Sequence, residues 1–172
     1  MKLTDLFLEQ LKTEAASSRK AVERVPDKRA DWKSWKPHGK SMEMGYLAML
    51  VASMPAWIEM IIRKDELDIA PKGPGAFKPP EFSTGQDLAR ACEDAAEKAR
   101  EALEGTDDEF LMTKWKLLAG GRVVDEPVRY RAVRDVFTHM AHHRGQLTVY
   151  LRLNDAAVPA IYGPSADEKT FG

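Results

Sequence analysis

The sequence predicts an all-α fold: a four-helix bundle with a short extended or hairpin excursion before the last helix. Three observations carry the prediction. Four segments repeat apolar residues every three or four positions. Proline and glycine cluster between those segments. The one stretch that alternates, around Gly120 and Gly121, is too short for a free-standing sheet. With 172 residues the chain suits a single domain over 1–172, large enough to bury a core without cross-links.

Helix one is predicted from Leu3 to about Val25: Leu3, Leu6, Phe7, Leu11 and Ala15 share a face, Thr4 or a neighbour is available as cap, and Pro26 ends the run. The aperiodic segment 26–40 holds Trp32 and Trp35. Ser41 then offers an N-cap for a strongly apolar helix from about Met42 to Arg63, which Pro55 should kink near Val51 by removing an N–H and crowding the preceding turn. The proline- and glycine-rich stretch from Asp65 to Ser83 reads as a long loop. Helix three follows from about Thr84 to Leu103, with Leu88, Ala91, Cys92, Ala95, Ala99 and Leu103 facing inward and Gly105 closing it. The Gly120-Gly121 pair marks the extended or hairpin excursion, and helix four starts near Pro127. The Pro/Gly-rich tail from Asp155 does not extend that helix.

Charge and composition exclude several function classes. The 26 basic and 27 acidic residues nearly cancel, so the chain lacks the positive field that a nucleic acid or an anionic lipid surface requires. Cys92 is the only cysteine and excludes an internal disulfide; the N-terminus lacks a signal peptide's apolar run, and no apolar stretch reaches the roughly 20 residues of a bilayer span. The expectation is a cytoplasmic protein without nucleic-acid or membrane partners. Cys92, on the apolar face of helix three, is expected to pack rather than react.

The chemistry concentrates in helix four. Val133, Val136, Phe137, Met140, Leu147, Tyr150 and Leu151 form one inward stripe that includes His143. His139 lies one turn earlier and points the same way from the edge of the stripe, whereas His142 rotates outward. Two imidazoles at i and i+4 can chelate one Zn²⁺ or Ni²⁺ ion, but a stable site needs a third protein ligand; the other reading makes them core-edge residues hydrogen-bonded to backbone or carboxylates. Arg144 is a forked donor for a carboxylate on another helix or for an anionic ligand, and Gln146 can support either arrangement. Tyr162 is placed to fold the tail back, with Asp167 and Glu168 meeting basic residues such as Arg144 or Arg152.

Asp135 to Glu168, with its His-x-x-x-His-Arg-Gly-Gln pattern and Tyr-Gly-Pro-Ser-Ala-Asp tail, resembles the end of the DinB-like superfamily, and Trp35 to Trp57 resembles that superfamily's second helix and the approach to it. The resemblance implies an up-down-down-up four-helix bundle, a homodimer, and a divalent metal held by three histidines, one from helix two and two from helix four. His139 and His143 match the helix-four ligands. At the helix-two position this chain carries Leu50, which cannot coordinate a metal. His38, twelve positions earlier, is out of reach along a helix that rises about 1.5 Å per residue. Tyr46, one turn from Leu50 on the same face, and Glu43 are the other residues that approach the site from helix two, with packing and a solvated first-turn position as their plainer roles.

The reading is therefore a bundle with an incomplete metal site at His139 and His143, a Zn or Ni ion bound weakly or not at all, and Tyr46, Leu50, Arg144 and Gln146 lining a pocket for a small molecule or facing a partner subunit. The second reading is the divalent-metal-dependent transferase that the resemblance implies, in which the metal lowers the pKa of a low-molecular-weight thiol and the loop Asp65 to Ser83 serves as a lid. A nuclease role finds no support in the charge or in any acidic cluster.

Overall fold

A computed structural model describes residues 2–71 and 81–170. It is mostly helical, with six helices and a small three-stranded sheet: α1 (Leu3–Val22), α2 (Met44–Ser53), α3 (Pro55–Arg63), β1 (Glu66–Asp68), α4 (Gly85–Glu104), α5 (Asp108–Leu111), β2 (Lys116–Ala119), β3 (Arg122–Asp125) and α6 (Arg129–Leu153). The sheet corrects the all-α expectation. β1 lies inside the stretch expected to be loop; the centre of that stretch, 72–80, is outside the described residues.

The long helices form where the apolar spacing placed them, and their ends show what the spacing could not. Thr4 does not cap α1. Its first N–H groups are met by Asp5, which accepts from Lys2, and by Asp108, 105 positions away, which accepts from Leu3 at 3.0 Å and from Thr4 at 3.2 Å. Ser41 does not cap α2 either; Met44 and Gly45 donate to the backbone oxygens of Trp35 and Lys33 in the preceding loop. α4 has the expected start: Thr84 Oγ1 accepts from Asp87 N–H at 3.1 Å, while the Asp87 carboxylate accepts from Ser83 and Thr84, a reciprocal box that lowers the Asp87 pKa to about 2. At Gly85 any Cβ would lie 2.5 Å from the Glu23 carbonyl oxygen, so α1 and α4 meet there only because the residue has no side chain.

The expected helix two is two helices. Ser53 Oγ donates back to the Met49 carbonyl, Pro55 opens α3 at its first position, and the axes meet at 48°, two to four residues beyond the kink predicted near Val51. No single helix among the described residues is long and apolar enough to cross a membrane. The bent α2–α3 pair is, by length and composition, and its apolar side chains are largely buried in the core.

α4 packs on α1, α2 and α3, and α6 packs on the same three helices from another side. Two apolar clusters result. One gathers Phe7, Leu11, Met54, Ile58, Leu103, Val133, Phe137 and Met140; the other gathers Val22, Trp32, Met44, Leu47, Val51, Leu88, Cys92, Leu147 and Leu151. Between them along α1, α2–α3 and α6 lie buried polar residues: Glu14, Ser17 and Ser18 on α1, Ser53 at the α2–α3 break, and His143 and Arg144 on α6. The core is thus divided by a polar layer at the level where the helix bends.

The sheet covers one end. β2 and β3 form an antiparallel hairpin whose two turn residues, Gly120 and Gly121, have φ of 62° and 80°, the left-handed pair a tight primed turn requires. β1 pairs parallel with β2, and the Asp68 carboxylate accepts from Gly120 and Gly121 N–H, locking the strand end to the turn.

Candidate functional site

The histidine pair is built by α6 alone. His139 and His143 sit four residues apart and their Nε2 atoms are 2.8 Å apart. The Gln146 amide oxygen lies 2.8 Å from His143 Nδ1. With Nδ1–H donating to that oxygen, His143 Nε2 carries a lone pair, and His139 Nε2–H is the matching donor. His143 is buried and His139 half-buried, while His142 is exposed on the outer side, as its helical position predicts. Burial, and then the neighbouring imidazoles His143 and His142, hold the His139 pKa below its ordinary value, so the ring favours its neutral form.

The other sequence-derived candidates separate. Leu50 is half-buried and packs against the cluster that contains Met54, Phe137 and Met140. Tyr46 is 55% exposed, and Glu43 precedes α2 on the surface. His38 is an exposed turn residue whose Nδ1 accepts from Lys40 N–H. Among the described residues no group of three or more His, Cys, Asp or Glu could hold a metal ion. The residues present therefore do not fit the three-histidine ion that the resemblance implies: two nitrogen donors converge, and the third position is apolar.

Arg144 acts as a brace across the polar layer. It is 1% exposed and donates to the Glu14 carboxylate at 2.5 Å, the Glu14 backbone oxygen at 3.0 Å and Ser18 Oγ at 3.2 Å. It also donates to the Tyr162 hydroxyl, which in turn donates to Glu14 at 2.9 Å. Every direction of the guanidinium fork that the fold buries has a protein partner, so Arg144 serves the fold rather than an incoming anion. The tail folds back as the sequence predicts: Asp167 pairs with Arg152 at 2.5 Å, and Glu168 pairs with Arg24 and accepts from Ala160 N–H. Cys92 is buried, with its pKa pushed up to about 12 by burial, which makes the thiol inert.

What the sequence reading missed is a cleft of about 330 Å³ between α3, the sheet and the first turns of α6. Its walls are Trp57, Ile61, Leu67, Trp115, Leu117 and Val136, and His139 closes one end. Trp57 meets the His139 ring edge-on, with centroids 5.4 Å apart. None of Tyr46, Leu50, Arg144 and Gln146 lines it; Arg144 borders a different hollow of about 280 Å³ beneath the tail. The only available signal was the pair of tryptophans at positions 57 and 115, whose shared wall depends on a strand that the sequence does not announce.

Residues 128–170, which include α6 and the tail, match the model of the DinB family. The fold is similar to that of a DinB-like protein from Bacillus cereus, with a TM-score of 0.68 and 18% identity over 91% of this chain and 95% of that one. It is similar in the same way to a DinB-like protein from Bacillus subtilis, with a TM-score of 0.66 and 18% identity over 90% and 95%. The DinB match thus rests on the last helix and the tail, and the likeness to the DinB-like proteins extends to the fold of nearly the whole chain. No curated protein matches it. The matched segment carries the histidine pair, Arg144 and the carboxylates of the tail clasp; the cleft draws walls also from α3 and the sheet, outside that segment.

Proposed function

We propose that this DinB-like protein binds a small, largely apolar molecule in the cleft that ends on His139, and that its metal site is the reduced remnant of a three-histidine centre. With α2 and α3 counted as one bent member, α1, α2–α3, α4 and α6 are the four helices of an up-down-down-up bundle that carries the site. The observation behind the reading is the donor set: two convergent imidazoles, an apolar Leu50, and an adjoining apolar cleft whose volume of about 330 Å³ falls within the range that holds small ligands. Removing one neutral nitrogen donor from such a centre lowers divalent-ion affinity steeply.

The second reading, a divalent-metal-dependent transferase acting through a low-molecular-weight thiol, is favoured by one observation. The Nε2 atoms of His139 and His143 converge, and Gln146 holds His143 from its far side, as an orienting partner does for a ligating histidine. Elemental analysis of untagged protein purified without chelators separates the two. The expected result is substoichiometric Zn and Ni in wild type and about one ion per chain in Leu50→His. One ion per chain in wild type, lost in the His139→Ala, His143→Ala double variant, would sink the remnant reading and establish the metal-dependent one.

A further inference from the structure

We infer that the cleft takes an organic cation, a protonated amine on an apolar body, with Asp125 and Asp135 holding the charge at the mouth and the buried wall taking the body. The inference rests on the reading that the cleft holds a small molecule, and it adds the sign and the place of that molecule's charge. Two observations carry it. The first is that the lining changes character with depth: Ile61, Trp115, Ala132 and Val136 are buried, whereas Asp125 on β3 and Asp135 on α6 are exposed. The carboxylates therefore stand at the opening, with hydrocarbon surface behind them. The second is that the charge at the opening has one sign. Neither lysine nor arginine is on the described lining, although the chain as a whole has 26 basic and 27 acidic residues, so the acidic mouth is a local feature.

The two carboxylates differ in what already surrounds them. Asp125 has no basic partner among the described residues; it accepts from the N–H of Glu126 at 2.9 Å. Asp135 pairs with Arg134 at 2.9 Å and with Arg131 at 3.7 Å, but all three side chains are more than half exposed, and exposed pairs of this kind are weak. Both arginines lie off the described lining, so on its cleft side Asp135 meets no counter-charge. A cleft that carries one sign of charge beside low-dielectric walls concentrates the opposite charge in a ligand. An anion of the same shape would face two carboxylates and no compensating cation. A neutral molecule would gain the wall, with Leu67, Leu117 and Val136, and leave the mouth unused. An ammonium group on a hydrocarbon frame uses both.

The test uses three probes with one frame, phenylbutylamine, phenylbutanol and phenylbutyrate, titrated into the full-length protein near neutral pH. Binding is followed through the methyl resonances of Leu67 and Leu117, which wall the cleft and so report where the probe sits. In about 20 mM salt the amine is expected to bind about three- to tenfold tighter than the alcohol, and the carboxylate more weakly than either. In about 0.5 M salt, where screening shortens the reach of exposed charges, the advantage of the amine shrinks. Asp125→Asn keeps the shape of an exposed side chain and removes its charge, and closes most of the gap between amine and alcohol. The order of the three probes in wild type is a readout that does not depend on the variant folding. Equal affinity for amine and alcohol at low salt, tighter binding of the carboxylate, or a gap that Asp125→Asn leaves intact would overturn the cationic class and leave small-molecule binding standing. Failure of all three probes to move the Leu67 and Leu117 resonances would overturn both.

Discussion

Arg144 shows how much one side chain can connect. Its guanidinium, 1% exposed, joins α6 to Glu14 and Ser18 on α1 and to Tyr162 in the tail. Truncating one partner of a buried ion pair leaves the other charge stranded. Arg144→Ala is therefore expected to lower unfolding free energy by about 3–5 kcal/mol, measured by urea denaturation. Tyr162→Phe removes a single hydroxyl from a residue that is otherwise well exposed, and should cost about 0.5–1.5 kcal/mol in the same assay. A loss under 1 kcal/mol for Arg144→Ala would show the layer to be hydrated and the brace unimportant. Helical spacing was enough to place His139 and His143 together and His142 outside, because those relations are local. The partner of Arg144 was not legible: Glu14 lies 130 positions away, and a lone glutamate on an amphipathic helix has the same spacing whether it is buried or solvated.

At the scale of elements, three of the four predicted helices formed with boundaries displaced by a few residues, since their apolar stripes are long. The remaining one broke because Pro55 does more than bend a helix; it starts a new one at its own first position, and Ser53 diverts its hydroxyl to the preceding turn. β1 was hidden for a different reason. Three residues, Glu66 to Asp68, are too few to show alternation, and their pairing with β2 is decided by Asp68 reaching across 52 positions to the Gly120 N–H. The hairpin that receives it was readable from its two glycines. Gly121, at φ 80° with open space where a Cβ would project, isolates the backbone contribution of that turn. Gly121→Val should cost about 1–2 kcal/mol through left-handed strain alone, seen as a lowered thermal midpoint; an unchanged midpoint would mean that the turn relaxes freely. Because Leu67 and Leu117 of these strands wall the cleft, the same variant should weaken the binding of a small apolar molecule there.

Over the whole molecule, charge is used to close the fold on itself. The Asp167 pKa is lowered chiefly by its hydrogen bond from Arg152, and that of Glu168 chiefly by the Ala160 N–H and then by Arg24. A carboxylate whose folded pKa lies below its unfolded one adds stability that is complete above the ordinary carboxylate range and is lost as pH falls through the folded value. Limited proteolysis should therefore find the tail protected at pH 7 and released on acidification below pH 4, while an Asp167→Asn, Glu168→Gln variant is cut at both; a tail equally protected at pH 3 would refute the electrostatic clasp. The polar layer has a further consequence in time. The Tyr162 hydroxyl meets a carboxylate made 148 residues earlier, so Glu14 leaves the ribosome long before Arg144 or Tyr162 exists. Pairings between such distant residues form late, and here α1 cannot bury its middle until α6 and the tail have been made. A nascent chain stalled before α6 presents an amphipathic helix with a charged centre and nothing to neutralise it, a ready substrate for chaperones and proteases.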